Sequence, residues 1–200
     1  MTNSTMTKYD FTEVINLYND TLAPLHKQYI SEGNQGGKVR GTVGKLYETI
    51  AHMICLLVNP ELEVKHNDYI NIASRSGRYF KKTQVDLHVY LRDELVLIIE
   101  CKTYLDSSML DRAISEFTKI RKHHAITSDK VLPCAVFTGQ QCINEESFNF
   151  LHEEEPFDMF VTNKTPNRSS KLPIFQTLDP LNVNVLTQFA TYVDNIVNNS

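Results

Sequence analysis

Two neighbouring runs, Val85-Asp-Leu-His-Val-Tyr-Leu-Arg92 and Leu95-Val-Leu-Ile-Ile-Glu-Cys101, constrain this chain more than any other feature. The first alternates strictly: Val85, Leu87, Val89 and Leu91 share one face and Asp86, His88 and Tyr90 the other, which is the period of a β-strand. The second is almost wholly apolar, as a central strand buried on both faces must be. Arg92-Asp93-Glu94 lies between them and makes a hairpin the natural connection. Parity decides what that hairpin gathers. A two-residue loop sets Asp86 opposite Cys101, whereas a three-residue loop over 92–94 sets it opposite Glu100. The longer loop is the expectation. Only it puts Val85, Leu87, Val89 and Leu91 on one face with Leu95, Leu97, Ile99 and Cys101. Asp86, Glu100 and Lys102 then share the other face at one end of the hairpin.

Those three side chains form a chemically coherent set. Carboxylate oxygens are hard ligands suited to Mg²⁺, which is usually held by one or two carboxylates together with water and substrate phosphate. The main-chain carbonyl of Cys101 offers a further oxygen. An ion held there would polarise a phosphate and acidify bound water, with Lys102 orienting the nucleophile or offsetting developing charge. These are the components of a phosphodiester hydrolase. The competing reading is a buried ion pair, Glu100–Lys102 or Asp86–Lys102, without catalysis, since buried carboxylates are costly unless paired or metal-bound.

The rest of the chain reads as helices and strands around this hairpin. Phe11, Val14, Ile15, Tyr18, Leu22 and Leu25 give a first amphipathic helix, broken or bent near Pro24. Five of the seven glycines follow within residues 33–44, a composition that predicts a flexible loop or close backbone approach. A phosphate-binding P-loop is excluded, because Val39 stands where its first Gly belongs and Leu46 follows Lys45. Val43, Leu46, Tyr47, Ile50, Ile54, Leu57 and Val58 mark a second helix ending near Pro60, with Lys45, Glu48 and His52 on its polar edge. Residues 61–84, ending in ASRSGRYFKKTQ, read as irregular or extended surface chain. Ser108–Asp111 resembles a capping box opening a helix that continues to about Lys122, where His123 and His124 read as capping or solvated residues. Strands are expected at Val131–Thr138 and Phe157–Val161, a last helix over 185–197, and a linker-like stretch at Thr162–Lys171. His88 is expected to be a satisfied strand histidine and His52 a support for Glu48. Tyr47 and Tyr90 are expected to be core or hydrogen-bonded aromatics.

Length and composition narrow the class. Two hundred residues suffice for one domain with a real core, and 42% apolar with 22% charged residues excludes a largely disordered chain. No apolar run approaches a membrane span and the first residues lack a secretory apolar stretch, so a cytoplasmic protein without membrane contact is expected. Cys55, Cys101, Cys134 and Cys142 have no CxxC spacing, lie in or beside apolar segments, and are expected to be reduced core thiols. The net charge is −4, yet residues 38–82 carry eight basic side chains against four acidic ones. A mildly acidic chain can therefore turn one positive face toward a polyanion.

The string VDLHVY…LVLIIECKTYLD followed by an amphipathic helix resembles the core of the PD-(D/E)xK nuclease superfamily, and ECKTYLD resembles type II restriction endonucleases. The departure is Val85, where the namesake Pro would precede the Asp. The resemblance implies an α/β fold with a central mixed β-sheet flanked by helices, a single nuclease domain over 1–200, and a catalytic core at about 40–138. It implies Mg²⁺-dependent hydrolysis of double-stranded DNA by metal-activated water, with Mn²⁺ a possible substitute. Asp86 and Glu100 would be ligands, Lys102 the positioning group, and Glu48 an accessory or second-metal ligand.

On this reading Lys38, Arg40 and Lys45, with Arg75, Arg78, Lys81 and Lys82, are expected to grip phosphates, and Arg side chains also suit guanine edges. Asn163, Lys164, Asn167, Arg168 and Ser169 suit base or backbone contacts, or a plain surface loop. The expectation is a sequence-specific type II restriction endonuclease. A palindromic site would make it a homodimer, and a cognate DNA methyltransferase would be encoded nearby. Two alternatives stand beside it: a nicking or catalytic subunit of a heteromeric or repair nuclease, and a non-catalytic DNA-binding module of the same fold.

Overall fold

A computed structural model describes residues 8–32, 36–74, 76, 78–126, 128–167 and 178–200. Arg75, Arg168 and Ser169 lie outside the described residues. Helix α1 spans Thr12–Glu32 and runs through Pro24 rather than breaking there. Its start is fixed by Asp10, whose Oδ1 accepts the Thr12 N–H at 2.9 Å. Helix α2 spans Gly36–Val58, so the glycine-rich stretch expected to be a loop is helical from Gly36 onward. Added Cβ atoms at Gly41 and Gly44 would meet nothing within 4 Å, so no close packing requires either glycine.

Seven strands follow in two sheets among the described residues: β1 (Glu63–His66), β2 (Tyr69–Ala73), β3 (Phe80–Gln84), β4 (Leu87–Leu91), β5 (Glu94–Leu105), β6 (Cys134–Gln141) and β7 (Asp158–Val161). The main sheet has the order β1-β4-β5-β6-β7. Pairing is antiparallel from β1 through β5 and parallel from β5 through β7, which makes the sheet mixed. The expected α/β architecture with a central mixed sheet is therefore present. β2 and β3 form a separate antiparallel ribbon where irregular chain was expected.

Helices cover both faces of the sheet. On one face α1, α2 and α5 (Val183–Asn199) pack Tyr18, Tyr47, Ile50, Ile54, Phe189 and Val193 against Leu87, Val89, Leu97, Ile99 and Phe137. On the other, α3 (Ser107–His124) brings Leu110, Ile114 and Phe117 against Val85, Ile98 and Val136. Ile70 and Ile72 of the ribbon and Phe148 and Leu151 of α4 (Glu145–Glu154) pack at the border of that second cluster. The N-cap of α3 is Asp106, not Ser108: Asp106 Oδ1 accepts the Met109 N–H and the Ser108 hydroxyl, both at 2.8 Å. No helix among the described residues is long and apolar enough to cross a membrane.

The β4–β5 hairpin reaches the expected parity by a different route. Its loop has two residues, Arg92 and Asp93, both left-handed with φ of 51° and 67°, as a primed hairpin turn requires. Leu95 pairs with Tyr90 but Leu97 pairs with Val89, so Val96 is an extra, bulged residue in β5. The bulge restores the register lost by the shorter loop and brings Leu87 opposite Ile99. It also sends Val96 to the α2 face and Leu95 to the α3 face, opposite to the expectation for Leu95. Val85, just before β4 begins, joins the α3 face as well.

Candidate active site

Asp86 ends the irregular segment between β3 and β4, and its backbone carbonyl accepts the Asn67 N–H at 2.9 Å. Its side chain reaches across to β5, where Oδ2 accepts the Cys101 N–H at 2.7 Å. Glu100 and Lys102 flank Cys101 and alternate with it, so both stand on the sheet face that Ile98 presents to α3. The Lys102 ammonium closes the group. Its Nζ lies 3.0 Å from Asp86 Oδ2, 2.5 Å from Glu100 Oε1 and 3.0 Å from the Cys101 carbonyl oxygen.

The electrostatics follow from this crowding. Burial raises the Glu100 pKa and the nearby Asp86 adds to the rise, outweighing the opposing attraction of Lys102. For Lys102, burial alone would depress the ammonium, but Glu100 and Asp86 together overcome it and the pKa rises. Burial pushes the Cys101 thiol well up, and the Asp86, Glu100 and Glu48 carboxylates reinforce it. With both carboxylates ionised the three side chains carry a formal charge of −1. Their exposures, 18% for Asp86, 14% for Glu100 and 27% for Lys102, leave the cluster largely desolvated but reachable.

Three oxygens of the chain thus converge on one cationic point held by Lys102 Nζ. Two carboxylates and a carbonyl are a hard-oxygen set, which fits Mg²⁺ or Mn²⁺. Among the described residues no group of three or more His, Cys, Asp or Glu side chains gathers as a metal site, so any ion here would rely on the Cys101 carbonyl and solvent for further ligands.

Glu48 stands beside this cluster rather than within it. Its Oε2 accepts from Asn67 Nδ2 at 3.4 Å and lies 3.7 Å from His66 Nδ1. His66 in turn meets His52, with Nε2 and Nδ1 2.6 Å apart, so the expected His52 support for Glu48 runs through His66. Burial, then His66, lowers the pKa of His52. Asn67 links the pieces and escaped sequence reasoning: it holds the Asp86 carbonyl, contacts Glu48, and accepts both Gln84 Nε2 bonds, at 3.1 Å and 3.0 Å. Its φ of 51° is a conformation that Asn tolerates better than most residues, the one signal the sequence carried for it.

The expected DNA contacts divide. Lys45, Arg78, Lys81, Lys82, Lys164 and Asn167 are exposed. Lys38 and Arg40 lie in the first turns of α2, where only the backbone is described. Asn163 is corrected: it is 1% exposed, accepts the Tyr47 hydroxyl at 2.7 Å, and donates to Tyr18 Oη at 2.6 Å and the Asp179 carbonyl at 2.8 Å. With its amide so engaged it is an internal strut and not a nucleic-acid contact. His88 is also corrected: it is fully buried, and neither ring nitrogen has a hydrogen-bond partner among the described residues.

No family model matches this chain, and no curated protein matches it. It is similar to a solved protein of unknown function, AF1548, with 18% identity and a TM-score of 0.38, over 56% of this chain and 56% of that one. The match spans little more than half of either chain, too distant a likeness to bear on function.

Proposed function

We propose that this protein is a Mg²⁺-dependent endonuclease of the PD-(D/E)xK type that hydrolyses phosphodiester bonds of double-stranded DNA at a specific sequence. The observation that carries the reading is the closure of Asp86 Oδ2, Glu100 Oε1 and the Cys101 carbonyl on one cationic point, at distances of 2.5 to 3.0 Å from Lys102 Nζ. A structural ion pair needs one carboxylate per ammonium, whereas this cluster keeps a negative charge in excess on a largely desolvated face of the central strand β5. That surplus suits a site that takes up a divalent ion.

Asp86, Glu100 and the Cys101 carbonyl would hold Mg²⁺ at the point the Lys102 ammonium occupies in this structure, so uptake of the ion requires Lys102 to swing aside. When bound, the ion supplies polarisation of the scissile phosphate and acidification of a coordinated water. The protein's own groups do the rest. Lys102, raised in pKa by its two carboxylates, stays protonated at neutral pH and, displaced from those oxygens, would offer its positive charge to the charge developing on the phosphate. The Cys101 N–H fixes the Asp86 carboxylate, so its second oxygen keeps its direction without reorganisation. Glu48 adds negative potential nearby. If the recognised sequence is palindromic, a second copy of the chain supplies the other strand's site.

The test is incubation of the purified protein with mixed-sequence phage DNA, in Mg²⁺ and in EDTA, followed by gel analysis. Discrete fragments in Mg²⁺ and intact DNA in EDTA are expected. Smearing or nicking alone would turn the reading toward a repair or subunit nuclease, and intact DNA in both would contradict it.

A further inference from the structure

The β2–β3 ribbon stands apart from the catalytic sheet and has no assigned role. Between Tyr69 and Val85 the chain has four basic residues and no acidic one, although the whole protein carries a charge of −4. The ribbon is two-sided. Ile70 and Ile72 pack toward α3, and Thr83, the partner of Ile70, is buried. The other face pairs Tyr69 with Gln84 and Asn71 with Lys82, and turns Tyr69, Asn71 and Lys82 to solvent. Lys82 Nζ sits over the Tyr69 ring, 5.3 Å from its centroid, and Tyr79 near the tip is 75% exposed. An exposed aromatic and amide face with this charge fits a polyanion.

We propose that this ribbon enters the major groove of duplex DNA and that Asn71 and Lys82, side by side on its outer face, determine the sequence that is cut. Two strands about 4.8 Å apart, each about 17 Å long, fit a groove about 12 Å wide. The Asn71 amide presents a donor and an acceptor together, the complement of the adenine edge, and Lys82 suits the two acceptors of guanine. Lys81 pairs with Ile72, off the outer face, yet is exposed, so it is assigned a phosphate contact and not a base contact.

The ribbon is also tied to the chemistry. Its base is clipped by Gln84 to Asn67, and Asn67 holds the Asp86 carbonyl, so a ribbon seated in the groove fixes the cluster relative to the backbone being cut. The inference rests on the nuclease reading and assigns its specificity.

The experiment is selection from a pool of duplexes with randomised positions, in EDTA so that binding is read without cleavage, followed by sequencing of the retained fraction. The unaltered protein should enrich one short sequence. Asn71→Ala and Lys82→Ala should each relax the preference at one position by about tenfold. Lys81→Ala should weaken all sequences alike and lower the salt slope by about one. Enrichment of the unchanged sequence by both Asn71→Ala and Lys82→Ala overturns this inference and leaves the nuclease reading standing. Failure of the unaltered protein to retain any duplex overturns both.

Discussion

Asp86→Asn and Lys102→Ala are each expected to lose Mg²⁺-dependent cleavage, by on the order of 10²–10³-fold or more, while duplex binding in EDTA stays within a few-fold of the unaltered protein. The two losses have different causes. The Asn side chain is isosteric, and its carbonyl oxygen still accepts the Cys101 N–H that now lies 2.7 Å from Asp86 Oδ2, so the fold is kept while the cluster loses its negative surplus. Removal of the Lys102 ammonium has the opposite electrostatic sign. It leaves Asp86 and Glu100 facing each other without their shared cation, which strengthens attraction for a divalent ion but withdraws the ammonium from the reacting phosphate. Cleavage rates under single-turnover conditions, with fluorescence anisotropy for binding, check both. Near-normal cutting by either variant would refute the assigned roles, and parallel loss of binding would indicate a structural defect.

Gly139→Ala is expected to destabilise the protein by about 3 kcal/mol or more, the combined cost of overpacking and a strained buried hydrogen bond. A Cβ at Gly139 would fall on the Tyr47 hydroxyl and stand 2.6 Å from the Thr103 carbonyl oxygen. Neither neighbour can yield cheaply. Thr103 is backbone in the central strand β5, and Tyr47 is fully buried with its hydroxyl bonded to Asn163. That amide ties Tyr18 and the Asp179 carbonyl in turn, so displacement of Tyr47 disturbs the contact between α1, α2 and the segment before α5. Gly44→Ala is the control, because its Cβ meets nothing and a helix interior favours Ala over Gly by up to about 1 kcal/mol. Denaturant unfolding of the three proteins measures the difference. A Gly139→Ala change under about 0.5 kcal/mol would show that Tyr47 repacks freely.

These residues also mark what the sequence made legible. The juxtaposition of Asp86, Glu100 and Lys102 was readable because face parity is an all-or-none property of a strand, and only one parity buries every Val and Leu of β4. The means to that parity was not readable. A two-residue turn with a bulge at Val96 and a three-residue turn without one give the same register near Asp86, and they differ in where Leu95 and Val96 point. The ribbon escaped because its strands are short and its alternation, Ile70 and Ile72 inward against Tyr69 and Asn71 outward, is interrupted by a polar basic turn that composition alone assigns to loop. The glycine-rich stretch departs from the expected loop for the converse reason: helix α2 carries Gly41 and Gly44 on open positions where a weak propensity cost is outweighed by the burial of Val43, Leu46 and Tyr47. Asn163 shows the limit of reading polar residues as surface, since the hydroxyls that satisfy it come from Tyr18 and Tyr47, far away in the chain.

Whether Asp86, Glu100 and the Cys101 carbonyl bind a divalent ion is measured by calorimetric titration of Mn²⁺ into DNA-free protein. The unaltered protein should bind Mn²⁺, Asp86→Asn should bind none, and Lys102→Ala should bind more tightly than the unaltered protein. Equal binding by all three, or none by any, would contradict a cation site at the end of the β4–β5 hairpin.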